Sequence, residues 1–328
     1  KSNNLQSYAT SSSDTKRCTS RPGTSVLMTF LQVDLPAITL AILAGLTAAL
    51  VGNLLILRRQ ALMGDALSHM VLPGIVGGYV ISGHPKSWAI VGGALLAGLL
   101  GAGLISLIQR LGRLDAATAM GVVLTTMFAA GVLLIETINI SGIHLDIEHA
   151  LYGSLESVIW LFPVGWKDIF NPAGWADLPR EIPFIAGTFF TLATAFFITA
   201  KEIRLVTFDP SFSATLGIPF WLTELFINCA VAIAVVAAFD AVGSILVISM
   251  LICPTATARL ITNRFNLQIW VSLFIAAFSA LLGYVFAVWG APYLGSPGAV
   301  NAAGGIACVA GAILVSTSIF HVLLQKRA

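Results

Sequence analysis

The 328-residue chain has little charge. Only 10% of its residues are Asp, Glu, Lys or Arg, where soluble domains carry roughly 25%. Seventeen basic and fifteen acidic side chains are too few to coat a globule of this length, which excludes a water-soluble fold. A formal net charge of +2 offers no basic field, so nucleic acid is excluded as a partner. The four cysteines, Cys18, Cys229, Cys253 and Cys308, form no CxxC pair, which removes zinc ribbons, thioredoxin motifs and disulfide scaffolds. There is no Gly-Lys pair, hence no GxxxxGK[ST] phosphate loop. If ATP drives this protein, another polypeptide binds it.

Apolar residues are abundant. They make up 57% of the chain, the mean hydropathy is +0.92, and thirty glycines permit close helix contacts in lipid. The expected fold is all-α, a polytopic transmembrane bundle. A span needs about 20 mostly apolar residues, and nine stretches qualify: 35–57, 62–82, 87–108, 118–138, 183–200, 220–239, 242–260, 267–289 and 300–323. Residues 1–34 read as a polar tail, expected to be disordered, and 35–328 as the membrane domain. The segment at about 139–182 is the longest insertion between spans. Its Trp160, Trp166 and Trp175 suit a membrane-water boundary.

Basic residues orient the bundle. One set of connections holds Arg58, Arg59, Arg110, Arg113, Lys201, Arg204, Arg259, Arg264, Lys326 and Arg327. The other holds Lys86, Lys167 and Arg180, plus Lys1, Lys16, Arg17 and Arg21 of the tail. The richer side is expected to be cytoplasmic, with the N-terminus outside and the C-terminus inside. Small residues at Gly93, Ala97 and Gly101, and at Ala303, Ala307 and Gly311, predict tight helix packing in the third and ninth spans.

Ionisable groups inside a bilayer are costly unless paired, hydrated or bound, and so mark function. The best candidates lie in the run Leu62-Met-Gly-Asp-Ala-Leu-Ser-His-Met-Val-Leu-Pro-Gly74. Asp65 and His69, at i and i+4, share one helix face, and carboxylate plus imidazole suits first-row divalent metals. Ser68 lies beside them as a secondary candidate, and Asp240, at the end of the sixth span, is another. Pro73 lacks an N–H and leaves the carbonyl of His69 without its helical donor, so a broken helix is expected there; broken helices commonly build ion sites. Pro254 is expected to kink the seventh span. Glu136 and Glu224 read as interfacial, and the loop residues His144, Asp146, Glu148 and His149 form a further metal-like cluster.

The run Arg58-Arg59-Gln-Ala-Leu-Met-Gly-Asp65-Ala-Leu-Ser-His69-Met-Val-Leu-Pro73-Gly74 closely resembles the signature of the permease subunits of bacterial metal-ion ABC importers, the family that takes up manganese, zinc and iron. Tyr152-Gly153, Thr207-Phe-Asp-Pro-Ser-Phe-Ser-Ala-Thr-Leu-Gly-Ile-Pro219, Asp240-Ala-Val-Gly243 and Ile252-Cys-Pro-Thr-Ala-Thr-Ala-Arg259 continue it in order. The resemblance implies a type II, cobalamin-importer-like ABC permease in the bacterial inner membrane, itself no enzyme. It implies a second permease copy or a sister permease, cytoplasmic ATP-binding subunits and an extracytoplasmic metal-binding protein. No cofactor stays bound; the cargo is a divalent ion of manganese, iron or zinc. Asp65 and His69 match the family's intramembrane acid and histidine. The segment at about 207–219 matches the cytoplasmic coupling segment that docks on the ATPase, with Asp209 and Gly217 its marked positions. The alternatives are a permease for a metal chelate such as a siderophore or cobalamin, and a proton-coupled secondary transporter. The Asp65/His69 pair argues for a bare ion against the first, and nucleotide dependence separates the second.

Overall fold

The computed structural model describes residues 30–83, 88–138, 155, 158–161, 177–217, 219–290 and 301–326. Residues 1–29 of the expected tail, the cluster at 144–149, Tyr152-Gly153, Trp166 and Trp175 lie outside them. The described residues are nearly all helical. A π-helical turn, Phe30–Asp34, leads into α1 (Leu35–Leu57), followed by α2 (Met63–Met70), α3 (Leu72–Ser82), α4 (Trp88–Gly112), α5 (Ala116–Ile138), α6 (Glu181–Phe208), α7 (Pro210–Thr215), α8 (Phe220–Val242), α9 (Ser244–Ile261), α10 (Phe265–Val285) and α11 (Ala302–Gln325). Among the described residues, eight helices are long and apolar enough to cross a membrane.

The expected second span, 62–82, is the exception. It is two helices, α2 and α3, parted at Val71. Pro73, placed in the first turn of α3, cannot donate to the carbonyl one turn back, so the chain restarts with bonds from the Gly74 and Ile75 N–H groups to the Val71 carbonyl. The pair nonetheless crosses. Arg58, ending α1, lies 5.8 Å over the ring of Phe220, and Arg110, near the end of α4, lies 5.2 Å over Trp221. α1 and α4 therefore end on one face, and the chain between them must return to the other. Pro254 behaves differently, because α9 runs through it unbroken. Nearby hydroxyls bond the local carbonyls, Thr255 that of Leu251 and Thr257 that of Cys253.

α1 is apolar all round, as a central helix must be. It packs against α6, α8, α9 and α10 and is the most buried of the long helices. Its one strongly polar interior residue, Asn53, is fully buried and donates to Ser272 Oγ (2.7 Å) and the Ala49 carbonyl (2.7 Å), while accepting from Gln268 Nε2 (3.1 Å). Each such interhelical bond in a membrane contributes about 0.6–2 kcal/mol. At the other end of the same antiparallel pair, Tyr284 donates to Asp34 at 2.8 Å. Large side chains on the bundle's outside, such as Phe197, Trp270 and Phe274, are exposed, which fits a hydrocarbon solvent and not water.

The α3–α4 contact is a glycine seam. A methyl group on Gly74 would overlap the Gly93 carbonyl oxygen, and one on Gly78 would overlap that of Ala89. Ala97 and Gly101 extend the seam, Gly101 against Met70, so the third-span stripe packs as expected. The ninth-span stripe is shifted. Gly311 faces open space, while Ala302, Ala303, Gly305, Ile306 and Ala310 form the buried face, with Ile306 against Gly283. Trp160, expected at the rim, is buried, and its backbone N–H donates to the Gln32 carbonyl at 2.8 Å.

Candidate functional site

Asp65 and His69 lie on α2, the short helix that the break at Val71 isolates. Their side chains meet as the i, i+4 spacing requires, with His69 Nε2 3.7 Å from Asp65 Oδ1. The other flank of the imidazole is set by Phe128 of α5, whose ring stands edge-on at 6.1 Å. The pair's side chains are 38% and 47% exposed, whereas their helix neighbours Met63, Leu67 and Met70 are buried. α2 thus buries its apolar face against α5, α8 and α4 and turns its two ionisable groups outward.

The depth of this pair matters. Met70 packs on Gly101 of α4, and Arg110 marks the face where α4 ends. Nine residues of helix separate Gly101 from Arg110, about 13 Å. Half of a ~30 Å hydrocarbon core is about 15 Å, so His69 stands near mid-membrane. A carboxylate and an imidazole half-exposed at that depth are costly against lipid, and the arrangement is stable where water or protein covers them.

The secondary candidates fare unevenly. Ser68 is buried, and its hydroxyl donates to the Asp65 carbonyl at 2.7 Å. Asp240 falls in the last turn of α8, just before Gly243 at φ +84°. Glu136 is exposed near the end of α5. Glu224 lies in α8 beside Arg58, and with Gln109, Arg110 and Trp221 lines a cleft of about 560 Å³ at the basic face. Among the described residues no three His, Cys, Asp or Glu side chains converge. First-row metals take four or more ligands, so the described side chains of one chain do not by themselves complete such a site.

The second marked region is the link between α6 and α8. Asp209 ends α6 and caps α7: its Oδ1 accepts from the Phe212 N–H at 2.9 Å and from Ser211 Oγ at 2.7 Å, with Pro210 at the first helical position. Those bonds favour the ionised form and hold the Asp209 carboxyl below its ordinary range. Gly217, at φ +74°, supplies the left-handed residue that ends the segment. The result is one exposed turn of helix presenting Phe212 and Leu216.

The cap has a pH signature. Because the folded pKa of Asp209 is depressed, its stabilisation is complete above the ordinary carboxylate pKa and is lost as pH falls through the lowered folded value. Hydrogen exchange of amides 211–216 is expected to show constant protection from neutral pH down to the usual carboxylate range, and loss below it. Asp209→Ala is expected to lose protection at every pH, whereas Asp209→Asn keeps the cap and removes the pH dependence. Equal protection in Asp209→Ala and the native chain would refute the capping role.

Sequence reading passed over the Asn53–Gln268–Ser272 network, the Asp34–Tyr284 bond and the Arg58–Glu224 neighbourhood. Neutral amides in apolar runs were the available signal, since each needs a buried partner in lipid.

The profile of the family described as "ABC 3 transport family" matches residues 30–159 and 179–320. The chain is 36% identical over 280 residues to the manganese transport system membrane protein MntD of Bacillus subtilis (strain 168), covering 85% of this chain and 90% of that one. It is 33% identical over 222 residues to the zinc transport system membrane protein TroD of Treponema pallidum (strain Nichols), covering 68% and 58%. Among solved structures, PsaBC from Streptococcus pneumoniae in complex with Fab superposes with a TM-score of 0.64 at 26% identity, covering 86% of this chain and 89% of that one.

Proposed function

The chain belongs to the ABC 3 transport family, and from that premise we propose that it is the membrane permease subunit of an ATP-driven importer of divalent metal ions, with manganese the favoured cargo. The observation that carries the reading is the half-exposed Asp65/His69 pair at mid-membrane depth. A second permease chain, a copy or a sister, covers that face and doubles the donors to two carboxylates and two imidazoles. The set is weak enough to release the ion inward, because it is shared between two separable chains. Ser68 and Asp240 are the weaker candidates for contact with the same ion.

The lack of a phosphate loop assigns ATP hydrolysis to a partner. α7, capped by Asp209 and stopped at Gly217, is the surface that docks on that cytoplasmic subunit, with Phe212 and Leu216 as its exposed apolar contacts. The face carrying Arg58, Arg110 and Arg204 is then cytoplasmic, the N-terminus outside and the C-terminus inside. An extracytoplasmic metal-binding protein delivers the ion to the opposite face. Manganese is favoured because the 36%-identical relative carries that metal in its name; carboxylate and imidazole alone accept zinc and iron as well.

The test is uptake by the reconstituted complex in vesicles, comparing manganese, zinc and iron with and without ATP. Nucleotide-dependent uptake with manganese fastest is expected. Uptake driven by a proton gradient without nucleotide would overturn the reading. Co-purification adds a check: Gly217→Val strains the φ +74° position and is expected to release the ATPase subunit.

A further inference from the structure

A groove runs along the outside of the bundle between α6 and α10 and plays no part in the pathway above, since neither helix packs on α2. It encloses about 1100 Å³, floored by Leu50 of α1 and walled by Phe189, Phe196 and Phe197 of α6 and by Trp270 and Leu273 of α10. Lys201 and Arg204 stand at its end on the basic face. Both are exposed, and neither makes an ion pair among the described residues. The Arg204 guanidinium rests 5.8 Å above the Phe265 ring. Asp209 also reaches this end as a carboxylate that accepts from the Phe212 N–H and Ser211, which leaves the end with one net positive charge from these three side chains.

The dimensions and charges together name an occupant. From Phe189 to Arg204 the helix runs about 22 Å, and one bilayer leaflet with its head groups is about 20–22 Å deep. Aromatic walls along the acyl depth and two cations outside any ion pair, which outnumber the single Asp209 carboxylate at that end, match a lipid with an anionic head. We propose that the groove binds one anionic phospholipid of the cytoplasmic leaflet, its phosphate against Lys201 and Arg204 and its acyl chains along the aromatic walls. The head group then sits beside Phe208 and Asp209, where α6 passes into α7. The leaflet assignment rests on the orientation proposed above; the binding does not, so lipid retention and metal uptake succeed or fail independently.

The test is native mass spectrometry of the purified full chain, after incubation in mixed micelles containing phosphatidylglycerol or phosphatidylcholine with the same acyl chains. Phosphatidylglycerol is expected to stay bound and phosphatidylcholine to wash away. Each cation at an anionic head group is worth about fivefold in binding, so Lys201→Gln with Arg204→Gln is expected to lower retention roughly 25-fold. Ala193→Trp, which fills the groove, is expected to lower it with both cations intact, and excess inorganic phosphate is expected not to compete. Equal retention of the two lipids, or retention unchanged in the double variant, would overturn the proposal. So would a shift of Ala193→Trp from dimer to monomer in lipid-free detergent, which would make the groove the seat of a second chain. If Ala193→Trp does not fold, the surface double variant, checked for an unchanged melting temperature, decides alone.

Discussion

Asp65→Ala and His69→Ala are each expected to cut metal uptake at least about tenfold at unchanged membrane levels. Loss of a group that merely orients a metal ligand already costs 10–100-fold in affinity or activity, and these two side chains are proposed as ligands themselves. The separation of function from folding follows from the geometry. A pair 3.7 Å apart and roughly two-fifths exposed contributes only about 0–1 kcal/mol to stability, and neither side chain fills the core that Met63, Leu67 and Met70 occupy. Membrane-inserted, well-folded protein with lost uptake is therefore the expected phenotype. Phe128→Leu, which removes the ring beside His69 but no donor, is expected to be milder. Normal uptake in both alanine variants would remove these residues from the pathway.

Gly74→Leu is expected to have the largest effect on folding. The α3 and α4 backbones approach so closely that a single methyl on Gly74 would overlap both the Gly93 carbonyl and the Ala97 side chain. Overpacking of this kind costs typically 1–3 kcal/mol for added methylenes where side chains can yield; here the obstructing atom is backbone, so the helices must part. Because α3 continues directly from α2, parting them also displaces Asp65 and His69. Gly77 and Gly92 give an internal control on the same two helices. A Cβ on either meets nothing within 4 Å, so Gly77→Ala and Gly92→Ala are expected to be neutral or stabilising by up to about 1 kcal/mol. Thermal melting of the detergent-solubilised chain checks the contrast. A Gly74→Ala melting temperature equal to that of Gly77→Ala would contradict the seam.

The boundaries and the break were legible for simple reasons. Spans such as 35–57 and 220–239 are bounded by charge, proline or glycine, and the structure moves their ends by only a few residues. Pro73 predicted the α2–α3 break from its missing N–H. The fifth span was read short, at 183–200, because Lys201 and Arg204 look like a loop in hydropathy; α6 in fact continues to Phe208, its cations exposed at the rim. The adjacency of Asp65 and His69 was legible from spacing alone. Their outward orientation at mid-depth was not, since it depends on which face of α2 the non-local helices α5 and α8 cover. The same limit hid Asn53 and Gln268, more than two hundred residues apart.

The most direct measurement is pulsed electron paramagnetic resonance of manganese(II) bound to the purified permease, read for nitrogen coupling. The native protein is expected to show imidazole nitrogen modulation that vanishes in His69→Ala while the chain stays folded. Nitrogen modulation that persists unchanged in His69→Ala, or manganese that binds with no nitrogen coupling at all, would contradict the account.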